Sequence, residues 1–171
     1  VVPHWRASGD DTCCKNRLTM SWFQTVVTLR PRPRGFHLVT DELVGQASYL
    51  RSVDSVDSVG GMGGVRIGLW HGFIQHTSAS LSINENADPS VRTDLERWTR
   101  ESIPDGARYF AHDAEGDDDM PAHVKASLFG AGVLIPIRDG HLQLGTWQGI
   151  YLGEHREHGG SRNVVVTVMG E

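Results

Sequence analysis

The chain has 171 residues, 39% apolar, with a net charge of −5 at pH 7. That length supports one domain with a sizeable core, and the acidic balance presents no basic face for nucleic acid. No apolar run is long enough to span a bilayer, and no signal-peptide pattern opens the chain, so a cytoplasmic protein is expected. The two cysteines, Cys13 and Cys14, are adjacent, which makes neither a disulfide framework nor a closed zinc site.

Residues 1–19 carry neither helical nor strand periodicity and are read as a disordered extension, with Met20 as the natural start. A strand pattern follows in SWFQTVVTLR (21–30), then the breakers of PRPRG and a second strand in GFHLVT (35–40). Asp41 and Glu42 open a helix through DELVGQASYLRSV, with Leu43, Ala47 and Leu50 at helical spacing. Residues 52–64, SVDSVDSVGGMGG, repeat SVD and end in glycines, which predicts a flexible insertion loop. VRIGLWHGFIQH (65–76) is apolar and β-rich and reads as a central strand ending at His76. Asp88-Pro89 starts an amphipathic helix whose apolar face is Val91, Leu95 and Trp98.

The stretch FAHDAEGDDDMPAHVK (110–125) holds five acids between His112 and His123. Crowded carboxylates are costly unless they face water, a cation or a basic partner. Asp118 or Asp119 is placed to cap a helix with Pro121 in its first turn and Gly130 at its end. Beyond it, Asp139-Gly140 signals a two-residue hairpin between GVLIPIR and HLQLG. QGIYLGEHR and RNVVVTVMG are expected to pair across residues 157–160. Strands outnumber helices, so the expected architecture is α+β: a β-sandwich-like domain over residues 20–171, with mixed or antiparallel sheets and about three helices.

Three histidines stand where sites are built: His76 and His112 at strand ends and His123 in a helix first turn. Three imidazoles with an open fourth position suit a catalytic-type metal centre, with zinc or magnesium as the divalent ion and Asp118 or Asp119 ligating it or orienting a ring. Ser78, Ser80, Lys125 and the helix start are candidate phosphate partners. Trp147 in GTWQG is either an exposed stacking ring or a core residue at a hairpin turn. Arg156 and Arg162 are cations for a phosphate or for the acidic loop, and for Arg156 a surface ion pair is the favoured reading. EHREH (154–158) lacks the order of a metalloprotease motif.

Four strings, RGFHLVTDEL (34–43), HTSASLSINENADPSVRTDLE (76–96), HDAEGDDDMPAHVKASLFG (112–130) and LGTWQGIYLGEHR (144–156), resemble the YjbQ-like family, also described as secondary thiamine-phosphate synthases. Asp117 stands where that family has proline, which adds a charge to the loop. The resemblance implies a compact α+β sandwich forming a homotrimer, with the polar strings gathered in a pocket near a subunit interface. Site positions carried over are His76, Ser78, Asn84, His112, Asp119, His123, Thr146 and Gln148. The implied activity joins a hydroxymethylpyrimidine diphosphate to a thiazole phosphate, as a weak secondary activity. It makes the partner a small phosphorylated heterocycle, with no nucleic acid or membrane. The alternative is a non-catalytic trimer that binds a metal or a small ligand.

Overall fold

A computed structural model describes residues 20–45 and 65–171. The expectations for residues 1–19, for the helix beyond Gly45 and for the 52–64 loop lie outside the described residues.

The described chain runs β1 (Ser21–Leu29), β2 (Gly35–Leu38), α1 (Thr40–Gly45), β3 (Ile67–Ile74), β4 (Ala79–Glu85), α2 (Pro89–Ser102), α3 (Asp119–Phe129), β5 (Gly132–Arg138), β6 (His141–Leu142), β7 (Gln148–Glu154) and β8 (Arg162–Gly170). The strands form a five-stranded sheet, β1-β8-β3-β5-β6, and a three-stranded sheet, β2-β7-β4, and every pairing is antiparallel. The α+β sandwich expected from the sequence is therefore the fold.

Period-two alternation builds the core. Val27, Leu29, Trp70, Ile74, Ile135, Ile137, Val164, Val166 and Val168 of the large sheet meet Ala79, Leu81, Ile150 and Leu152 of the small one. The other face of the small sheet carries α2 against β2 and α3 against β4. Its middle strand β7 is thus covered on both faces, and Gly149 to Glu154 are all buried. Gly153 is required there. A Cβ on it would stand 2.4 Å from Ser80 Oγ and 2.7 Å from His155 Cε1.

The local signals at turns and caps behave as their chemistry dictates. Asp139 and Gly140 take φ of +52° and +74° between the paired residues Arg138 and His141, the two positive values of a two-residue hairpin. Asp88 caps α2 by accepting from the Ser90 amide at 2.8 Å, with Pro89 in the first turn. Gly130 ends α3 at φ +89°.

Three expectations are corrected. β7 and β8 do not pair. β7 lies between β2 and β4, β8 between β1 and β3, and residues 155–161 carry the chain from one sheet to the other. Both strands are apolar enough to be central, and each takes a neighbour on both edges within its own sheet. The strand expected over HLQLG shrinks to His141–Leu142. On α2, Trp98 is 56% exposed and Thr99 is buried in its place. The inward face is ionic rather than apolar: Arg34 of the small-sheet layer takes Glu96 at 3.4 Å and both Asp105 oxygens at 2.6 and 3.0 Å.

Candidate metal-binding site

The α3 N-terminus sets the geometry. Asp119 is the first helical residue and His123 follows one turn later on the same face. His112, expected at a strand end, stands instead in the loop leading into the helix, because residues 103–118 form turns and coil with no strand. Ligand atoms of His112, Asp119 and His123 all lie within 4.8 Å of one another. His112 Nε2 is 2.9 Å from Asp119 Oδ2, and His123 Nε2 is 3.5 Å from Asp119 Oδ1. The two rings are 5.3 Å apart between centroids.

Asp119 is 2% exposed. Its Oδ1 accepts from Arg156 Nη1, while Oδ2 makes no hydrogen bond of good geometry, although His112 Nε2 is within ion-pair distance. A buried carboxylate oxygen left in this state is costly, and a cation is one way to satisfy it. His123 is prepared for such a role. Its Nδ1 lies 3.0 Å from the Thr77 carbonyl, so Nδ1 carries the proton and Nε2 presents its lone pair. Two imidazoles and one carboxylate with an open position fit zinc or a similar transition ion better than magnesium, which prefers oxygen ligands.

The remaining acids take other partners. Asp118 stands at the N-cap position of α3, but its side chain makes no cap hydrogen bond. It accepts instead from Arg156 Nε at 3.1 Å and from the Glu157 amide at 3.0 Å. Burial works against its charge, yet the Glu157 amide and Arg156 outweigh burial and hold its pKa below the ordinary value. Glu115 contributes its carbonyl oxygen to Arg156 Nη2 at 2.8 Å. Of the two readings of Arg156, a surface ion pair or a partner of the acidic loop, the second therefore holds.

His76 stands beside this group but outside it. The group whose ligand atoms lie within reach of one another is His112, Asp119 and His123; His76, expected as the third histidine, is not part of that group. The Ser78 amide donates to His76 Nδ1 at 3.2 Å, and Ser78 Oγ lies 3.1 Å from the same nitrogen. Burial, then the Arg162 charge, then His123 and Arg156 lower the His76 pKa, with Glu154 opposing them.

Three of the expected phosphate partners, Arg162, Ser80 and Lys125, are buried inside the protein. Arg162 is buried and donates to both Glu154 oxygens at 2.7 Å, through Nε and Nη2. Ser80 is buried against His155 Nε2 at 2.9 Å. Lys125 is fully buried with no hydrogen-bond partner on Nζ, and burial and then Arg34 lower its pKa. A ligand on the protein surface does not reach these three side chains in this conformation.

Asn84, Thr146, Trp147 and Gln148 gather at the opposite end of the small sheet. Strand β4 separates Ser78 from Asn84 by about 20 Å at ~3.3 Å per residue. Trp147 is 65% exposed, so of its two readings the exposed ring holds. Gln148 closes the turn, with Oε1 accepting from the Gly145 amide at 2.8 Å. One chain therefore carries two polar ends. A cavity of about 240 Å³ adjoins the His112 end and is lined by Arg108, Phe110, His112, Asp113, Met120 and Pro121 among others.

Sequence reasoning missed Glu154, His155 and the Thr77 carbonyl. The alternation of acids and bases in EHREH, next in space to an acidic loop, was the available signal. A backbone carbonyl leaves none.

Fold and site together define a small antiparallel sandwich protein with a His–Asp–His group at one helix start. A family profile described as UPF0047 protein YjbQ-like matches residues 26–171, and the chain belongs to this family. It is 51% identical to UPF0047 protein YjbQ of Salmonella typhimurium over 150 residues, 88% of this chain and 99% of that protein. Among solved structures, an uncharacterized YjbQ/UPF0047 protein from Clostridium acetobutylicum is 34% identical, with a TM-score of 0.68 over 84% of this chain and 98% of that one. A YbjQ-like protein from Sulfolobus solfataricus P2 shares the fold at a TM-score of 0.73 and 23% identity, covering 90% of this chain and all of that one. The described residues include no helix long and apolar enough to cross a membrane.

Proposed function

We propose that the chain is a metal-dependent transferase of the thiamine-phosphate-synthase type, acting on small phosphorylated heterocycles in the cytoplasm. The observation that carries this reading is the His112–Asp119–His123 group around one buried, incompletely bonded carboxylate oxygen. His112 and His123 offer Nε2 and Asp119 offers Oδ2. Arg156 holds the other Asp119 oxygen in place. A divalent ion bound there supplies Lewis acidity and neutralises a departing pyrophosphate. The acidic loop otherwise repels a diphosphate, so the chemistry and the residues ask for the same ion. In the transfer, the thiazole nitrogen bonds to the pyrimidine methylene carbon. The bond from that carbon to the diphosphate oxygen breaks, and pyrophosphate leaves with the electron pair.

A homotrimer is part of the proposal. Trp22, Val26, Phe73 and Leu134 stand exposed on the outer face of the five-stranded sheet, a surface suited to another copy. A pocket that uses both polar ends requires two chains, because one chain holds them about 20 Å apart. Trp147 of one copy would then stack on a ring bound at the His112 end of the next.

Pyrophosphate release from hydroxymethylpyrimidine diphosphate and thiazole phosphate, with zinc or magnesium, tests the activity. Release above the protein-free rate that is lost in Asp119→Asn supports it. Metal uptake with no release leaves a binding trimer without turnover.

A further inference from the structure

We propose that His76 is a positioning residue that offers a neutral Nε2–H as hydrogen-bond donor to an anionic phosphate oxygen of the ligand, and does not ligate the metal. The proposal rests on the reading of His112, Asp119 and His123 as the metal-binding group.

The argument is one of tautomers. The Ser78 backbone N–H has no acceptor capacity, and it meets His76 Nδ1 at 3.2 Å. Nδ1 is therefore the unprotonated nitrogen, and the neutral ring carries its proton on Nε2. Ser78 Oγ is compatible with the same choice. It accepts from Arg162 Nη2 at 3.4 Å and keeps its own proton free to turn toward His76 Nδ1, 3.1 Å away. Arg162 in turn is held by both oxygens of Glu154 at 2.7 Å. Glu154, Arg162 and Ser78 are all buried, so this chain of donors and acceptors is closed to water. A metal ion on Nε2 would need the opposite tautomer, with Nδ1–H facing the Ser78 amide and hydroxyl.

Position makes the donor useful. His76 is exposed, and the next residue, Thr77, gives its carbonyl to His123 Nδ1 at 3.0 Å. The two histidines flank one backbone segment with opposite tautomers: His123 presents a lone pair on Nε2 for a cation, and His76 presents a proton on Nε2 for an anion. A ligand with an anionic oxygen on a bound cation is the chemistry that meets both.

Long-range proton–nitrogen correlation spectra of the full 15N-labelled chain read the tautomer, with His76→Ala assigning the ring. The expected result is Nε2–H on His76 with and without zinc chloride, and a shift of that nitrogen when inorganic phosphate is added. Phosphate affinity of the zinc-loaded chain should fall about tenfold in His76→Ala, the order lost with one hydrogen bond to a charged group, while zinc affinity holds. His76→Gln, which keeps an N–H donor, should recover part of it. A proton on Nδ1, a zinc-induced ligation shift on Nε2, or zinc affinity falling with His76→Ala overturns the proposal. If the wild-type chain takes up no zinc, the metal-site reading fails on its own. The phosphate titration of the metal-free chain then decides for His76, and an unmoved Nε2 signal overturns it.

Discussion

His123 Nδ1 lies 3.0 Å from the carbonyl oxygen of Thr77, so a residue of α3 is locked to the segment that enters β4. This contact selects the ring tautomer, aims Nε2 at the Asp119 side and joins the helix to the small sheet. It separates two kinds of histidine in the chain. His37 also bonds a backbone carbonyl, that of Pro33 at 2.7 Å, but uses Nε2 and belongs to no cluster. His123→Ala should therefore weaken zinc binding at least tenfold, the lower end for loss of a ligand or its orienting partner, and His37→Ala should leave it within twofold. Isothermal titration with zinc on both variants checks this.

Arg156 is predicted to be the counter-ion that keeps Asp119 tolerable without a metal. Arg156→Gln leaves the buried carboxylate short of a cation, at a cost of about 3 kcal/mol for breaking such a pair. Zinc should restore much of that loss, because it replaces the missing charge. Melting temperatures with and without zinc measure it; a variant whose loss is the same in both conditions would show that Arg156 acts elsewhere.

How much of this was readable beforehand follows from range. Caps, turns and periodicity are local, so Asp88-Pro89, Asp139-Gly140, Gly130 and the alternation of β1 and β8 stood in the sequence. Strand pairing is not local, and β7 and β8 carry the same apolar pattern whether they form a hairpin or belong to two sheets. His112, Asp119 and His123 were legible because one loop and helix, residues 112–123, hold all three. The exclusion of His76 was not, since it depends on a Ser78 amide whose direction only the folded segment sets. Arg162 and Lys125 looked like ligand cations by type, and only the folded structure reveals that Arg162 is spent on Glu154 and that Lys125 is fully buried.

Acid stability should depend on His155. Its pKa is held down to about 3 against an ordinary 6.5, by burial first and then by Lys125, Arg34 and Arg162. The folded state keeps this ring neutral while the unfolded chain protonates below 6.5. Stability is therefore complete above 6.5 and falls by about 1.4 kcal/mol per pH unit between 6.5 and 3 from this group alone. His155→Gln should flatten the dependence of melting temperature on pH across that window. An unchanged slope would assign acid sensitivity to other groups.

Gly153→Ala tests the packing under the site. Its Cβ would meet Ser80 Oγ at 2.4 Å and His155 at 2.7 Å, and both partners are buried. Overpacking of this kind costs about 1–3 kcal/mol. Chemical denaturation should show a lower midpoint with an unchanged slope. A neutral result would mean that β7 shifts freely against β4.

The central claim is that His112, Asp119 and His123 form one cation site, and zinc stoichiometry by equilibrium dialysis with elemental analysis addresses it most directly. The account predicts one zinc per wild-type chain, with uptake sharply reduced in Asp119→Asn and in His123→Ala while both variants remain folded by circular dichroism. No zinc on the wild-type chain, or equal uptake by the wild type and both variants, would contradict it.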